Sequence, residues 1–499
     1  MKYRFFASIA AIVFLFTACG QKNTESVQTA ADADDPAIVG AAVTLTGKVE
    51  KITLGSESVT ITKAGNYNVT GTLKNGALIV DAPKADVHIM LSGADITNET
   101  GSALFVQDAA KCDIILASGT VNKLSDGAEY KKEEQKAALF SKSPLIIRGD
   151  GSLEVTANYK HAIASNDTLV IQGGKITVVS AVTDGLHSNE DTQISKGIFQ
   201  IKADSDGIQS EKKLHVEGGQ IEVDAGDDGV CADDTLNISG GTINIKNAYE
   251  GLEGKINVNI TGGTIQINCE DDAINAGEAI NIYAGTINAT CKDDGIDSNG
   301  NLIINGGSVT VFAQSAANGP LDFGDEAGST FEINGGTILA SGGTMPPRLS
   351  ATSKQPTLYI YTQSENDQVL QIKDDSGKII VEQKIVQSSG LIMFSSSELA
   401  QGTTYTASIA DTEIGTVKLE GISADIGEAT GGFGGMGGGR RERGEMPDGM
   451  TFPEGFPDGD MTMPDGMTFP EGMPFPEGGG MPDRGNRQRE NQTTTQPAQ

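Results

Sequence analysis

The sequence predicts an all-β fold, a right-handed parallel β-helix whose turns are 22 residues long, and three observations predict it. Turn glycines recur at one step: Gly197, Gly219, Gly241, Gly263, Gly285 and Gly307 are each 22 residues apart, with Gly174 one residue off. Apolar columns keep the same register. One column is Leu214, Leu236, Val258, Ile280 and Leu302; a second is Val216, Ile238, Ile260, Ile282 and Ile304; a third is Ile221, Ile243, Ile265, Ile287 and Val309. A fourth follows an acidic-Gly corner, with Leu186, Ile208, Val230, Leu252, Ile274 and Ile296. The segments between turns alternate with period 2, as strands do. They are too short for the crossover of about a dozen residues that a helix-linked parallel sheet needs. Like side chains therefore stack rung on rung about 4.8 Å apart. A nonapeptide calcium roll would repeat faster, and a propeller blade needs roughly 40 residues.

From the N-terminus, residues 1–18 read as a signal peptide: Lys2 and Arg4, then an apolar run from Phe5 to Ala18 too short to span a bilayer. Leu15-Phe16-Thr17-Ala18-Cys19 looks like a bacterial lipobox, with Phe16 where Leu is commonest. Cys19 is then the acylated first residue, and 19–40 a polar tether to the membrane. Residues 41–345 form the helix, its early part irregular: Val59-Thr60-Ile61, Leu78-Ile79-Val80 and Ile114-Ile115-Leu116 have strand texture at looser spacing. Residues 355–425 change pattern and suggest a small antiparallel cap, which a β-helix needs because its last rung is an open sheet edge. Residues 427–499 are rich in Gly, Pro and Met, repeat Met-Pro-Asp-Gly-Met-Thr-Phe-Pro-Glu-Gly from Met446 and from Met463, and are expected to be disordered.

The corner carries the chemistry. Asp184, Asp206, Asp228, Glu250, Asp272 and Asp294 are each 22 residues apart and fall in one column; Asp227, Asp271 and Asp293 make a partial second, and Glu253 and Asp297 lie in a third. Neighbouring stacked carboxylates repel by roughly 1–4 kcal/mol depending on local dielectric. Lysines are scarce there, with Lys255 and Lys292 the nearest. Calcium, which takes six to eight oxygen ligands, is the natural counter-ion outside a cell. A plainer account is that Asp-Gly is turn chemistry repeated by duplication, with Gly at positive φ. The doubled Asp227-Asp228, Asp271-Asp272 and Asp293-Asp294 exceed what a turn needs.

Cys112, Cys231, Cys269 and Cys291 show no zinc spacing, and Cys269 and Cys291 fall one turn apart as stacked core residues. His88, His161, His187 and His215 share no fixed spacing and read as surface or turn residues. The net charge is −31; loss of Lys2 and Arg4 leaves 34 basic against 67 acidic residues, or −33. Such a chain repels nucleic acid and anionic membranes.

The segment from about 50 to 345 resembles the bacterial secreted β-helix family known as carbohydrate-binding domain-containing proteins. The resemblance runs through Ile61-Thr62-Lys63-Ala64-Gly65-Asn66-Tyr67 and Gly71-Thr72-Leu73, then Leu91-Ser92-Gly93-Ala94-Asp95-Ile96-Thr97-Asn98. It continues through Ser141-Lys142-Ser143-Pro144-Leu145 and Thr183-Asp184-Gly185-Leu186. It implies a pectate-lyase-like fold, calcium on the helix, and binding of acidic plant polysaccharide such as polygalacturonate, and of cellulose. Where the family often has Lys-Asp-Asp, this chain has Lys142-Ser143-Pro144, which speaks against a calcium site at that turn.

The expected function is calcium-dependent, non-catalytic binding of polysaccharide, preferably acidic, by a monomeric cell-surface lipoprotein. Tryptophan is absent and aromatics make up 5%, so an aromatic platform for neutral glucan is hard to assemble. Two alternatives stay open. One is a pectate lyase with a lysine base such as Lys255 or Lys292, whose carboxylate neighbours push a lysine pKa the wrong way for that role. The other is a structural or adhesive stalk.

Overall fold

The computed structural model describes residues 35, 37–314, 319–324, 328–344 and 346–428. The leader, Cys19, nearly all of the tether and the expected disordered tail from 429 onward lie outside the described residues.

Among the described residues every regular element is a strand. One wall is a parallel sheet of twelve short strands, from Val59–Ile61 through Val230–Ala232 to Asp322–Phe323, one strand per turn. The other two walls belong to a 24-stranded set in which pairs such as Leu214–Val216 and Gln220–Ala225 lie on either side of a glycine turn. In the earlier turns single strands such as Leu169–Ser180 and Thr192–Ala203 run through both walls.

The sequence columns are the core columns. Leu214 pairs with Leu236, Leu236 with Val258, Val258 with Ile280 and Ile280 with Leu302. Val230, Leu252, Ile274 and Ile296 follow one another in the same way on the short-stranded wall. All of these are fully buried. Each such aliphatic contributes about 1.5–3 kcal/mol by leaving water, an upper estimate for a chain that is partly collapsed when unfolded. Outward positions carry polar stacks: Asn281 Nδ2 donates to Asn259 Oδ1 and Asn259 Nδ2 to Asn237 Oδ1, both at 3.1 Å.

The paired-glycine column is there for its backbone. Gly219, Gly241, Gly263, Gly285 and Gly307 have φ between 88° and 104°, and a Cβ at Gly241 would lie 2.9–3.1 Å from the backbone of the turn below. The end of the tether docks on this corner: Val39 is buried, and its carbonyl accepts from Gly174 N at 2.7 Å.

The last helical strand of this set, Thr337–Gly342, is covered by Ser389–Ser396, which pairs with it antiparallel. Thr357–Ser364 adds to that strand, and a four-stranded antiparallel sheet of Gln368–Asp374, Ile379–Ile385, Thr404–Ile409 and Thr412–Lys418 follows. A second core around Leu358, Ile360, Leu370, Phe394 and Tyr405 holds this cap.

Candidate metal and glycan site

Each acidic corner residue precedes a strand of the short-stranded wall. Asp184, Asp206, Asp272 and Asp294 are buried, and Asp228 and Glu250 half-buried. At Gly207 and Gly229 the small residue is favoured by close approach, although Ala273 follows Asp272: a Cβ on Gly207 would meet Gly229 O at 2.5 Å, and one on Gly229 would meet Gly251 O at 2.6 Å. These two glycines do not adopt positive φ, so the turn argument that predicts left-handed glycine does not describe this corner.

Backbone amides answer part of the charge. Asp228 N donates to Asp206 Oδ1 at 3.1 Å and Asp294 N to Asp272 Oδ1 at 2.9 Å, so a ladder carboxylate accepts from the ladder residue one turn on. Asn275 Nδ2 donates to Glu250 Oε2 at 3.1 Å. These bonds do not offset the rest. Burial, and then repulsion from Asp184, pushes Asp206 up to about 7. Burial and Asp297 push Asp272 up to about 7, burial and Glu253 push Glu250 up to about 8, and burial and Asp272 push Asp294 up to about 8. Asp228 moves the same way through burial and then Glu253 and Glu250. At neutral pH the column holds protons unless another cation replaces them.

The folded chain gathers these carboxylates into clusters whose ligand atoms lie within 4.8 Å of one another: Asp206, Asp227 and Asp228; Asp271, Asp272 and Asp293; Asp294, Asp297 and Asp322. Each offers oxygen only, and the acidic clusters can hold a metal ion. At the last of them Asp294 Oδ1 is buried with no hydrogen-bond partner, the kind of atom a cation satisfies. Asp322 escapes the sequence reading because it pairs with Asp297 across a turn longer than the regular repeat. A further group, Asp228, Cys231 and Glu253, includes a thiol that donates to Glu253 Oε2 at 2.9 Å. Cys269 and Cys291 are buried and unbridged. The two nearby lysines are engaged: Lys255 pairs with Asp233 and Lys292 with Glu270. Burial opposes the Lys255 charge, but Asp233 outweighs it and raises that pKa, away from what a base needs.

Asp184 differs from the rest of its column. His161 Nδ1 and His187 Nδ1 both approach Asp184 Oδ2, at 3.0 and 2.8 Å, and the two rings stack with centroids 4.3 Å apart. Burial resists ionisation of Asp184, yet the two imidazoles hold it well below the usual carboxylate range. These histidines are not the surface or turn residues that their spacing suggests; His187 is buried and the His161 side chain 12% exposed. Their separation along the chain does not match the repeat period, which is why no column revealed them.

Three aromatic pairs, Phe105–Phe140, Tyr130–Tyr159 and Phe323–Phe331, form among the described residues despite the low aromatic content. Phe105 and Phe140 stack at 5.8 Å but are buried, whereas Tyr130 and Tyr159 stack at 4.3 Å and are half-buried.

Residues 55–293 match the family profile of carbohydrate-binding domain-containing proteins. A protein of that description from Acetivibrio thermocellus is 34% identical over 136 residues, 26% of this chain. The chain spans about half the length of that curated relative, 48%. The solved structure of a polysaccharide lyase-like protein from C. thermocellum aligns over 55% of this chain and 98% of its own, at 24% identity and a TM-score of 0.34, too loose a likeness to carry an argument. Over residues 55–293, just under half of its length, this chain is similar to the carbohydrate-binding domain-containing proteins.

Proposed function

We propose that the protein binds polysaccharide without cleaving it, that calcium on the acidic column is required, and that acidic chains are preferred over neutral ones. The observation that carries this reading is the column of buried, mutually repelling carboxylates that ends in the partnerless Asp294 Oδ1. The donor set fits a hard cation: Asp271, Asp272 and Asp293, like Asp294, Asp297 and Asp322, present only oxygen at mutual distances that an ion with bonds of about 2.3–2.6 Å can bridge. When bound, calcium would reverse the local sign of a chain with net charge −31 and leave coordination positions that a uronate carboxylate can complete. The side chains themselves would fix the ion and space the sites along a wall whose rungs repeat at about 4.8 Å, a surface that an extended polymer can follow. The ion-paired, protonated Lys255 favours binding over lyase chemistry, because a proton-abstracting lysine needs a lowered pKa.

The protein is further proposed to sit at the cell surface as a lipoprotein anchored through Cys19. Retention on insoluble polygalacturonate and on cellulose, each with calcium and with chelator, tests the binding reading. Calcium-dependent retention on polygalacturonate is the expected result. Retention on cellulose alone, indifferent to chelator, would overturn the bridging account.

A further inference from the structure

The clusters along the column are not chemically alike. The oxygen-only groups suit calcium, but at the N-terminal end of the column two imidazoles and one carboxylate converge. We infer that His161, Asp184 and His187 form a binding site for a divalent transition metal of the zinc class, separate from the oxygen-only clusters and independent of whether those hold calcium.

Three features support this. First, the donor atoms face one another: one nitrogen of each imidazole and an Asp184 oxygen lie within 4.8 Å of one another, and both Nδ1 atoms approach Asp184 Oδ2, at 3.0 and 2.8 Å, so a single ion needs only small side-chain shifts to reach bonds of about 2.0–2.2 Å. Second, imidazole nitrogen selects zinc, copper, nickel or cobalt over calcium and magnesium, which prefer oxygen. Third, the site is shielded and its ligands held. The side chains of His161, His187 and Asp184 are 12%, 8% and 5% exposed. Asp184 Oδ1 lies 3.5 Å from Asp206 N, and Thr183 Oγ1 stands 2.9 Å from His161 Nδ1. His187 Nε2, the nitrogen pointing away from Asp184, is 3.6 Å from Glu211 Oε1. A carboxylate placed there is the outer partner that metal-bound histidines commonly have.

The proton accounting is simple. Without metal, the Nδ1–H of each ring faces Asp184 Oδ2; on binding, that proton moves through solvent to Nε2, which at His187 faces Glu211, and the freed Nδ1 lone pair goes to the ion. Neighbouring charges act in both directions, since Lys136 lies close enough to disfavour a cation on His161 and Asp206 adds negative charge from the next turn. Three protein ligands leave at least one position open to water or to a ligand hydroxyl.

The test is a calorimetric titration of the purified protein with zinc in excess calcium, repeated with cobalt and followed by visible absorption. One equivalent of zinc should bind without displacement by calcium, and cobalt should give the intense bands of a low-coordinate nitrogen-containing site. His161→Gln and His187→Gln should each weaken binding by about 100-fold or more, and Glu211→Gln by about 10-fold, the lower end for an outer partner. Asp294→Asn, at the far end of the column, should leave zinc binding unchanged. Zinc affinity in both histidine variants unchanged from that of the unaltered protein, or mole-for-mole displacement by calcium, overturns the inference. Should the variants fail to fold, the cobalt spectrum of the unaltered protein decides: weak bands of an octahedral oxygen site would refute it. Loss of calcium-dependent glycan retention would leave this result untouched, so the two readings fail separately.

Discussion

Two kinds of glycine recur in each turn, for different physical reasons. Gly241 sits at φ 88°, where a Cβ is strained and also presses on the turn below. Gly229 has no such φ and is small because the next rung's carbonyl passes within 2.6 Å of where its Cβ would be. Ala273 stands in the Gly229 column, which a strictly left-handed position would not accept. Gly241→Ala should therefore destabilise the helix by about 1–3 kcal/mol, the usual range for a forced left-handed residue. Urea unfolding that shows no fall in midpoint would contradict that assignment. Asp294 is the other residue to single out. Its Oδ1 has no hydrogen-bond partner, so Asp294→Asn should remove much of any calcium-induced rise in Tm while changing the metal-free Tm little or raising it.

At the scale of the element, the acidic column links stability to pH. Asp206, Glu250, Asp272 and Asp294 have folded pKa values raised to about 7 or 8, against about 4 unfolded. A carboxyl raised on folding holds its proton better in the native state. Its stabilising contribution is complete below the unfolded value and disappears as pH rises through the folded one. In chelator, Tm should thus fall between about pH 5 and pH 8. With saturating calcium the ionised form is the bound one, so the calcium-induced gain in Tm should widen over the same interval. Parallel thermal melts across that range, with and without calcium, measure both slopes. A gap that stays constant with pH would mean that the column titrates independently of any ion.

The described residues form a stack of turns closed at its C-terminal end by an antiparallel strand and a small sheet. Ser389–Ser396 occupies the open hydrogen-bonding edge of Thr337–Gly342, so the strand that would recruit another chain is already paired. The proposed anchor, Cys19, lies outside the described residues. If Cys19 is acylated, Cys19→Ser should move the protein from the membrane fraction to the soluble one or leave uncleaved precursor; cell fractionation and mass measurement follow it. A correctly cleaved Cys19→Ser protein still held in the membrane fraction would rule the lipobox out. Among the described residues no helix is long and apolar enough to cross a membrane.

Periodicity made the helix legible. A parallel coil forces equivalent residues of successive turns into contact, so a column that recurs at a constant step in the sequence is a column in space. Val230, Leu252, Ile274 and Ile296 align from the sequence alone, and Asp206, Asp228, Glu250, Asp272 and Asp294 align with them. Where the period breaks, that equivalence fails. Asp322 joins Asp297 across a lengthened turn, and His187 meets His161 out of step with the repeat. Only the folded backbone could bring those groups together, the two histidines at Asp184 and Asp322 at Asp294. Burial was equally invisible, since the shift of each ladder carboxyl depends on how far its neighbours exclude water. Repetition in the chain determined which residues stack; the irregular turns and the depth of each corner decided which of them meet as a site.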